Sequence, residues 1–121
     1  MRYMLLLKCD PRPGAVPAEP MLHALAAYVG ELARAGILLA AEGLEPSSTG
    51  ARIRFAGGGH AVVDGPFPDP STLVAGYVLL DVRSREEAIQ WAVRCLVDVS
   101  LAEGGVADIE VRPVFELADA R

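Results

Sequence analysis

The chain opens with an apolar run from Tyr3 to Leu7, bounded by Arg2 and Lys8. Tyr3, Leu5 and Leu7 would line one face of a strand, and Met4 and Leu6 the other, so the run predicts a strand over Arg2–Lys8 that is apolar on both sides. Four prolines and a glycine between Asp10 and Pro20 predict a loop. From Met21 to Ala35 the apolar spacing lengthens. Leu22, Leu25, Ala26, Val29, Leu32 and Ala33 follow the stripe of an amphipathic helix, with Glu31 and Arg34 off it and Gly36 at the C-terminal stop. Ile37 to Ala41 is a second extended run, ending near Glu42-Gly43-Leu44, and Pro46 to Gly50 reads as a turn. Arg52, Ile53, Arg54 and Phe55 alternate polar and apolar, as a half-exposed strand does. Gly57-Gly58-Gly59 then predicts a hairpin tip, and His60 to Val63 the returning strand. Asp64 to Ser71 is rich in turn residues, and Gly76 to Val82 reads as a strand. Ser84-Arg85-Glu86-Glu87 has the spacing of a capping box, in which Ser84 and Glu87 satisfy each other's backbone N–H groups. Behind it, Ala88, Trp91, Ala92, Cys95, Leu96 and Val99 form one helical face. Gly104-Gly105 breaks the pattern, and Asp108 to Phe115 is the final strand.

The order is strand, helix, strand, hairpin, strand, helix, strand. It predicts one α+β domain over residues 1–121, a ferredoxin-like βαββαβ subunit with an added hairpin, an antiparallel sheet and both helices on one face. Two helices cover only one face of such a sheet. A wet second face should alternate apolar with polar, yet Tyr77, Val78, Leu79 and Leu80 are all apolar. The pattern therefore predicts a homodimer, with an identical sheet packed face to face about a two-fold axis. The alternative is a monomer whose long loops cover that face.

Composition narrows the functions. Hydrophobic residues make up 52% and charged residues 22% of the 121 positions, which argues against disorder. Eleven basic residues face sixteen acidic ones, for a net charge of -5, and Lys8 is the single lysine. Without a basic stripe, nucleic-acid and anionic membrane partners are not expected. No apolar run approaches a membrane span, and Tyr3–Leu7 is too short for the core of a signal peptide. Cys9 and Cys95 have no paired metal spacing, so they are expected to be reduced thiols in the cytoplasm. No metal or cofactor is expected, because no local run of ligands supplies a site and the triple glycine lacks the lysine and helix of a phosphate loop.

Several residues invite chemistry. Glu110 and Arg112 share one face of the last strand, with Ile109 and Val111 on the other, under the helices. Arg112 can hold a small anionic organic ligand by its carboxylate, with Glu110 beside it; the alternative is a structural ion pair at the dimer interface. Glu42 can join from a neighbouring strand, or remain a solvated carboxylate at a strand end. Tyr77 can donate its phenol, or pack as a core ring with its hydroxyl at the rim. Asp64, at a strand end before Gly-Pro, is a candidate general base at a pocket mouth; the alternative is an Asx-type turn. His23 and His60 are the only imidazoles and the remaining acid–base candidates, against surface or capping roles. Cys95, on the apolar stripe, reads as a core thiol.

Asp64-Gly65-Pro66-Phe67 resembles the signature of the DGPF branch of the YCII-related family. Met1-Arg2-Tyr3-Met4-Leu5-Leu6 is similar to that family's opening strand, and Ala35-Gly36-Ile37-Leu38 with Glu42-Gly43-Leu44 to its next segment. Gly76-Tyr77, Glu87-Ala88-Ile89, Trp91-Ala92 and Ile109-Glu110-Val111-Arg112-Pro113-Val114 resemble its later ones, so the resemblance spans Met1 to Glu116. Pro68-Asp69-Pro70-Ser71-Thr72 departs from the usual acidic-Lys-acidic stretch after the motif, and Leu96 stands where a proline is usual. The resemblance implies a dimeric α+β barrel. Among proteins of that architecture are cofactor-free isomerases, dehydrohalogenases and lyases for small ring compounds. Within the YCII group it implies a His–Asp pair as the suspected catalytic device. It also implies an alternative role as a non-catalytic binding or regulatory accessory, with an alternative sigma factor as protein partner. Phe67, inside the motif, joins the ligand-contacting candidates.

Overall fold

A computed structural model describes residues 1–8, 19–99 and 108–116. Six strands and two helices run in the order β1 (Arg2–Lys8), α1 (Glu19–Arg34), β2 (Leu38–Gly43), β3 (Ala51–Ala56), β4 (Gly59–Asp64), β5 (Val74–Asp81), α2 (Arg85–Val99) and β6 (Asp108–Pro113). Short 3-10 turns sit at Ser47–Thr49 and Pro70–Thr72. β2, β5, β1 and β6 form an antiparallel four-stranded sheet in that spatial order. This is the ferredoxin-like arrangement, with the β3–β4 hairpin inserted between its second and third strands as a separate two-stranded sheet. The expected loop residues 10–18 and the Gly104-Gly105 break lie outside the described residues.

The core lies between the sheet and the helices. Tyr3, Leu5, Val78 and Leu80 point into it from the central strands, and Tyr28, Leu32, Ala88, Ala92 and Cys95 meet them from the helices. Ile109 and Val111 pack against this cluster, so the last strand turns its apolar side to the helices as its alternation predicts.

Helix α1 corrects the expected boundaries and stripe. It begins at Glu19, so Pro20 belongs to its first turn, where a missing N–H costs no hydrogen bond. Among its described side chains, which leave out Leu22, the buried positions are Tyr28 and Leu32, with Ala24 and Leu25 partly buried, while Ala26 and Ala33 face outward. Tyr28 can turn inward because its hydroxyl donates to the Trp91 carbonyl at 2.7 Å, and its ring meets that of Trp91 edge-on. Arg94 lies over the indole, 4.7 Å from the Trp91 ring centroid, and pairs with Glu31. The C-terminus closes as a Schellman motif. Gly36 adopts φ 74°, its N–H donates to Ala33 O at 3.0 Å, and the Ile37 N–H donates to Leu32 O at 3.2 Å.

At the start of α2, the Glu87 N–H donates to Ser84 Oγ at 3.1 Å, as the capping box predicts. The reciprocal bond shifts by one residue: the Glu87 carboxylate accepts from the Arg83 N–H at 2.9 Å. Ala88, Ala92 and Cys95 are buried along the expected stripe.

The hairpin keeps its alternation but inverts the expected sense. Ile53, Phe55 and Val62 share one face and are 50%, 82% and 61% exposed. On the other face Arg52 and its partner Val63 are half-buried, and the Arg52 guanidinium stacks 4.0 Å from the centre of the Phe67 ring.

Candidate functional site

The sheet face turned away from the helices collects most of the expected ligand-contacting residues. Strand alternation sends Met4, Leu6 and Lys8 of β1, Tyr77 and Leu79 of β5, and Glu110 and Arg112 of β6 to that side. Two cross-strand rows result. One runs Ala40, Leu79, Met4, Arg112; the next runs Glu42, Tyr77, Leu6, Glu110. The floor is therefore apolar in the middle and charged at both edges. Met4, Leu6, Tyr77 and Leu79 remain half-buried rather than sealed.

Glu42 reaches this face through a backbone irregularity. β2 pairs Leu38 with Leu80 and then Ala40 with Leu79, so Leu39 is an extra residue in the ladder. A bulge of this kind reverses the inside–outside parity of the residues beyond it. Ala41 consequently packs on the core and Glu42 faces the open side. Glu42 does not adjoin the Glu110–Arg112 pair. β2 and β6 are opposite edges of the sheet, three strand spacings or about 14 Å apart.

At the β6 edge the Glu110 carboxylate lies between two cations. Arg112 Nη1 donates to Oε1 at 3.2 Å, and Lys8 Nζ is 3.7 Å from Oε2. Lys8 is the half-buried member, whereas the Arg112 side chain is 63% exposed. Asp108 lies on the same face, opposite Lys8, so two cations meet two carboxylates along this edge, while the Arg112 guanidinium keeps donors for a second anion. Alternation alone could have placed Lys8 on this face, but its partnership with Glu110 depends on the β1–β6 register.

The other candidates sit elsewhere. Asp64 ends β4 opposite Ala51, exposed, and its carboxylate takes no hydrogen bond among the described residues. The adjoining turn is held by other groups. The Gly65 N–H donates to Gly50 O at 3.0 Å, the Phe67 N–H donates to Ser47 Oγ at 3.1 Å, and the Gly65–Pro66 peptide is cis. The Asx-type geometry expected at Asp64 occurs instead at Asp69, whose Oδ1 accepts from the Ser71 hydroxyl at 2.7 Å and the Ser71 N–H at 3.1 Å. These bonds hold the Asp69 carboxyl below the usual range. Phe67 packs under Arg52 beside the turn. His60 is exposed on β4 opposite Phe55. His23 is exposed on α1, in the layer on the far side of the sheet from Glu110 and Arg112. One chain thus gathers Glu42, Tyr77, Glu110 and Arg112 on one face, and leaves Asp64, His60 and His23 on two other elements.

Among the described residues, no cluster of three or more His, Cys, Asp or Glu side chains is placed to hold a metal ion. No described helix is long and apolar enough to cross a membrane.

Over 96 residues the chain is 31% identical to the Uncharacterized protein R00369 of Rhizobium meliloti (strain 1021), a match covering 79% of this chain and 74% of that protein. Residues 1–116 match the YCII-related domain. The fold, the opening strand and the closing strand with its Glu110–Arg112 pair all fall inside that match, and the chain belongs to the YCII-related domain family.

Proposed function

We propose that this is a homodimeric protein of the DGPF branch that binds a small organic anion against the open sheet face and acts on it without a cofactor, as a lyase or isomerase. The observation that carries the reading is the pair of cross-strand rows: an apolar floor of Met4, Leu6, Tyr77 and Leu79 that ends in Arg112, with Lys8 and Glu110 beside it. A flat apolar body would lie on the floor while its carboxylate met the guanidinium. A second copy would supply the opposite wall and exclude water from the charged edge.

In the chemical step a carboxylate takes a proton from carbon next to the bound anion's unsaturated group. The C–H electron pair becomes the new double bond. Either a leaving group departs, giving elimination, or the proton returns at another carbon, giving isomerisation. Glu42 in the row is the carboxylate proposed for this role within one chain, and Asp64, on the separate hairpin sheet, would serve only if the second copy brought it to this face.

The test is to incubate the protein in deuterium oxide with small aromatic and unsaturated carboxylates and to follow deuterium entering carbon by NMR. The reading expects protein-dependent exchange that falls by roughly a hundredfold or more in Glu42→Gln or Asp64→Asn. Arg112→Ala should weaken binding by about tenfold or more. Exchange that survives all three substitutions contradicts this placement.

One observation favours a second reading, that of a non-catalytic accessory protein. The two histidines and Asp64 do not converge with Arg112 within one chain. Binding of a carboxylate without any exchange, together with co-purification of an alternative sigma factor, would support that role.

A further inference from the structure

We infer that the exposed face of the β3–β4 hairpin pairs with the same face of a second copy of this chain, the two ribbons running antiparallel about a two-fold axis. This contact is separate from the sheet face of the proposed pocket, leaves that floor free for its ligand, and does not rest on that reading.

The register fixes what the hairpin face carries. Ala51 stands opposite Asp64, Ile53 opposite Val62 and Phe55 opposite His60, and partners across a ladder share one side of the ribbon. All six residues are exposed, while Arg52 and Val63 on the other side are half-buried. The hairpin has no third strand. A two-stranded ribbon is marginal in water unless its apolar face is covered. Ile53, Phe55 and Val62 make a contiguous apolar patch there. Asp64 and His60 are the ionisable side chains of this face, because Arg52 and Arg54 lie on the other side.

The face is complementary to itself in one orientation. Its carboxylate sits at the base of the ribbon and its imidazole next to the tip, both on β4, with the Ile53–Val62 pair between them. A two-fold axis lying across the ribbons, through that middle pair, sets the base of one ribbon against the tip of the other. Asp64 then faces the partner's His60, which offers an N–H donor to the carboxylate in either protonation state. Phe55 faces the partner's Ala51, a large ring over a small side chain. Ile53 and Val62 each meet their own counterparts. The other two-fold, running along the ribbons, would put Asp64 over Ala51 and His60 over Phe55 and leave the carboxylate without a donor. Complementarity of charge and size therefore selects the antiparallel order, and the contact is isologous. Six residues a side is far below the roughly 20–30 of a standard interface, so the contact should be weak, with a dissociation constant on the order of 10⁻⁴ M. It joins in pairs whatever species exists at micromolar concentration.

The test is light scattering on the full chain from micromolar concentration to about 1 mM, a range that brackets such a constant. The mean mass should rise toward twice its micromolar value. Ile53→Glu sets two carboxylates against each other at the axis and should remove the rise. Phe55→Ser, at the most exposed apolar position, repeats this test if Ile53→Glu disturbs the ribbon. His60→Asp and Asp64→His should each weaken the association by about tenfold or more, and the double exchange should return it to within about threefold of the parent. A mass that stays flat to 1 mM overturns the inference. A rise that survives both Ile53→Glu and Phe55→Ser overturns the assigned surface. A double exchange no better than the single ones overturns the antiparallel order. The proposed pocket is judged separately, by whether the micromolar species is one chain or two.

Discussion

A Cβ built on Gly65 would lie 1.8 Å from the Ser47 carbonyl oxygen and 2.6 Å from its carbonyl carbon. No side chain fits that approach, and the obstacle is backbone that cannot rotate away. The segment Asp64-Gly65-Pro66-Phe67 is thus a clasp on the 47–50 turn. Glycine allows the contact, the Gly65 and Phe67 N–H groups bond to Gly50 O and Ser47 Oγ, and the Phe67 ring seats Arg52 of the hairpin.

Gly65→Ala should therefore destabilise the protein by at least about 2 kcal/mol, the scale of forced overpacking that cannot relax through a side chain. Urea unfolding checks this. Phe67→Ala should cost about 1 kcal/mol or more, through lost stacking and packing, and should raise hydrogen exchange in Arg52 to Phe55 before it does so in β1. A Gly65→Ala variant as stable as the parent would show that the clasp is not needed.

Two further glycines separate close approach from mere presence. A Cβ on Gly76 would meet Glu42 O at 2.9 Å, whereas one on Gly43 would meet nothing within 4 Å. Gly76→Ala should lower stability by about 1–2 kcal/mol and disturb the β2–β5 ladder. Gly43→Ala should stay within about 0.5 kcal/mol of the parent. Thermal unfolding of the pair measures the contrast.

The helix pair is tied by one buried phenol. Tyr28→Phe should cost about 1 kcal/mol, since the ring packing survives while the bond to the Trp91 carbonyl is lost. Tyr28→Ala should cost about 3–5 kcal/mol, because it also empties the space between α1, α2 and the sheet. Urea midpoints of the two variants separate the hydroxyl from the ring.

Acid should weaken the closing end of the chain in a defined direction. Arg2 donates to both Glu116 carboxylate oxygens at 2.8 and 2.9 Å, and that hydrogen bond, more than the charge alone, holds the Glu116 carboxyl below its ordinary value. Asp69 is held down by Ser71 in the same sense. In the folded state these groups bind protons less tightly than in the unfolded chain, so stability rises with pH through that window. Their contribution is complete above the unfolded carboxylate pKa and is lost as pH falls through the lowered folded values. The stability gap between the parent and Glu116→Gln should accordingly shrink as pH drops below the ordinary carboxylate range. A gap that stays constant from neutral to acid pH would contradict the assignment.

Much of the fold could be read from the residues. The double-faced run at Tyr3–Leu7, the Gly36 stop and the Ser84–Glu87 cap all lie where local chemistry puts them. Tyr28 was harder, because a tyrosine looks equally at home on a surface until its hydroxyl partner is known, and that partner is 63 residues away. The hairpin was legible as alternation but not in its sense, since the inward side carries the Arg52–Phe67 stack, a contact that alternation does not reveal. Within the site, the shared face of Glu110 and Arg112 followed from two-residue spacing. The place of Glu42 did not, because the extra residue at Leu39 reverses the parity and leaves no mark in the composition. Lys8 was equally hidden, because its meeting with Glu110 is a matter of register between the first and last strands.

Leu79 and Leu80 are neighbours in sequence but belong to opposite sides of the sheet, and they provide the most direct test of the claim that a second copy covers the open face. Leu80 is fully buried under the helices, while Leu79 is half-buried on the open side. Sedimentation equilibrium should find the parent at twice the 12.8 kDa chain mass at micromolar concentration. Leu79→Glu should be folded by circular dichroism yet sediment at 12.8 kDa, and Leu80→Glu should not fold. A parent protein that sediments as a single 12.8 kDa subunit would contradict the account.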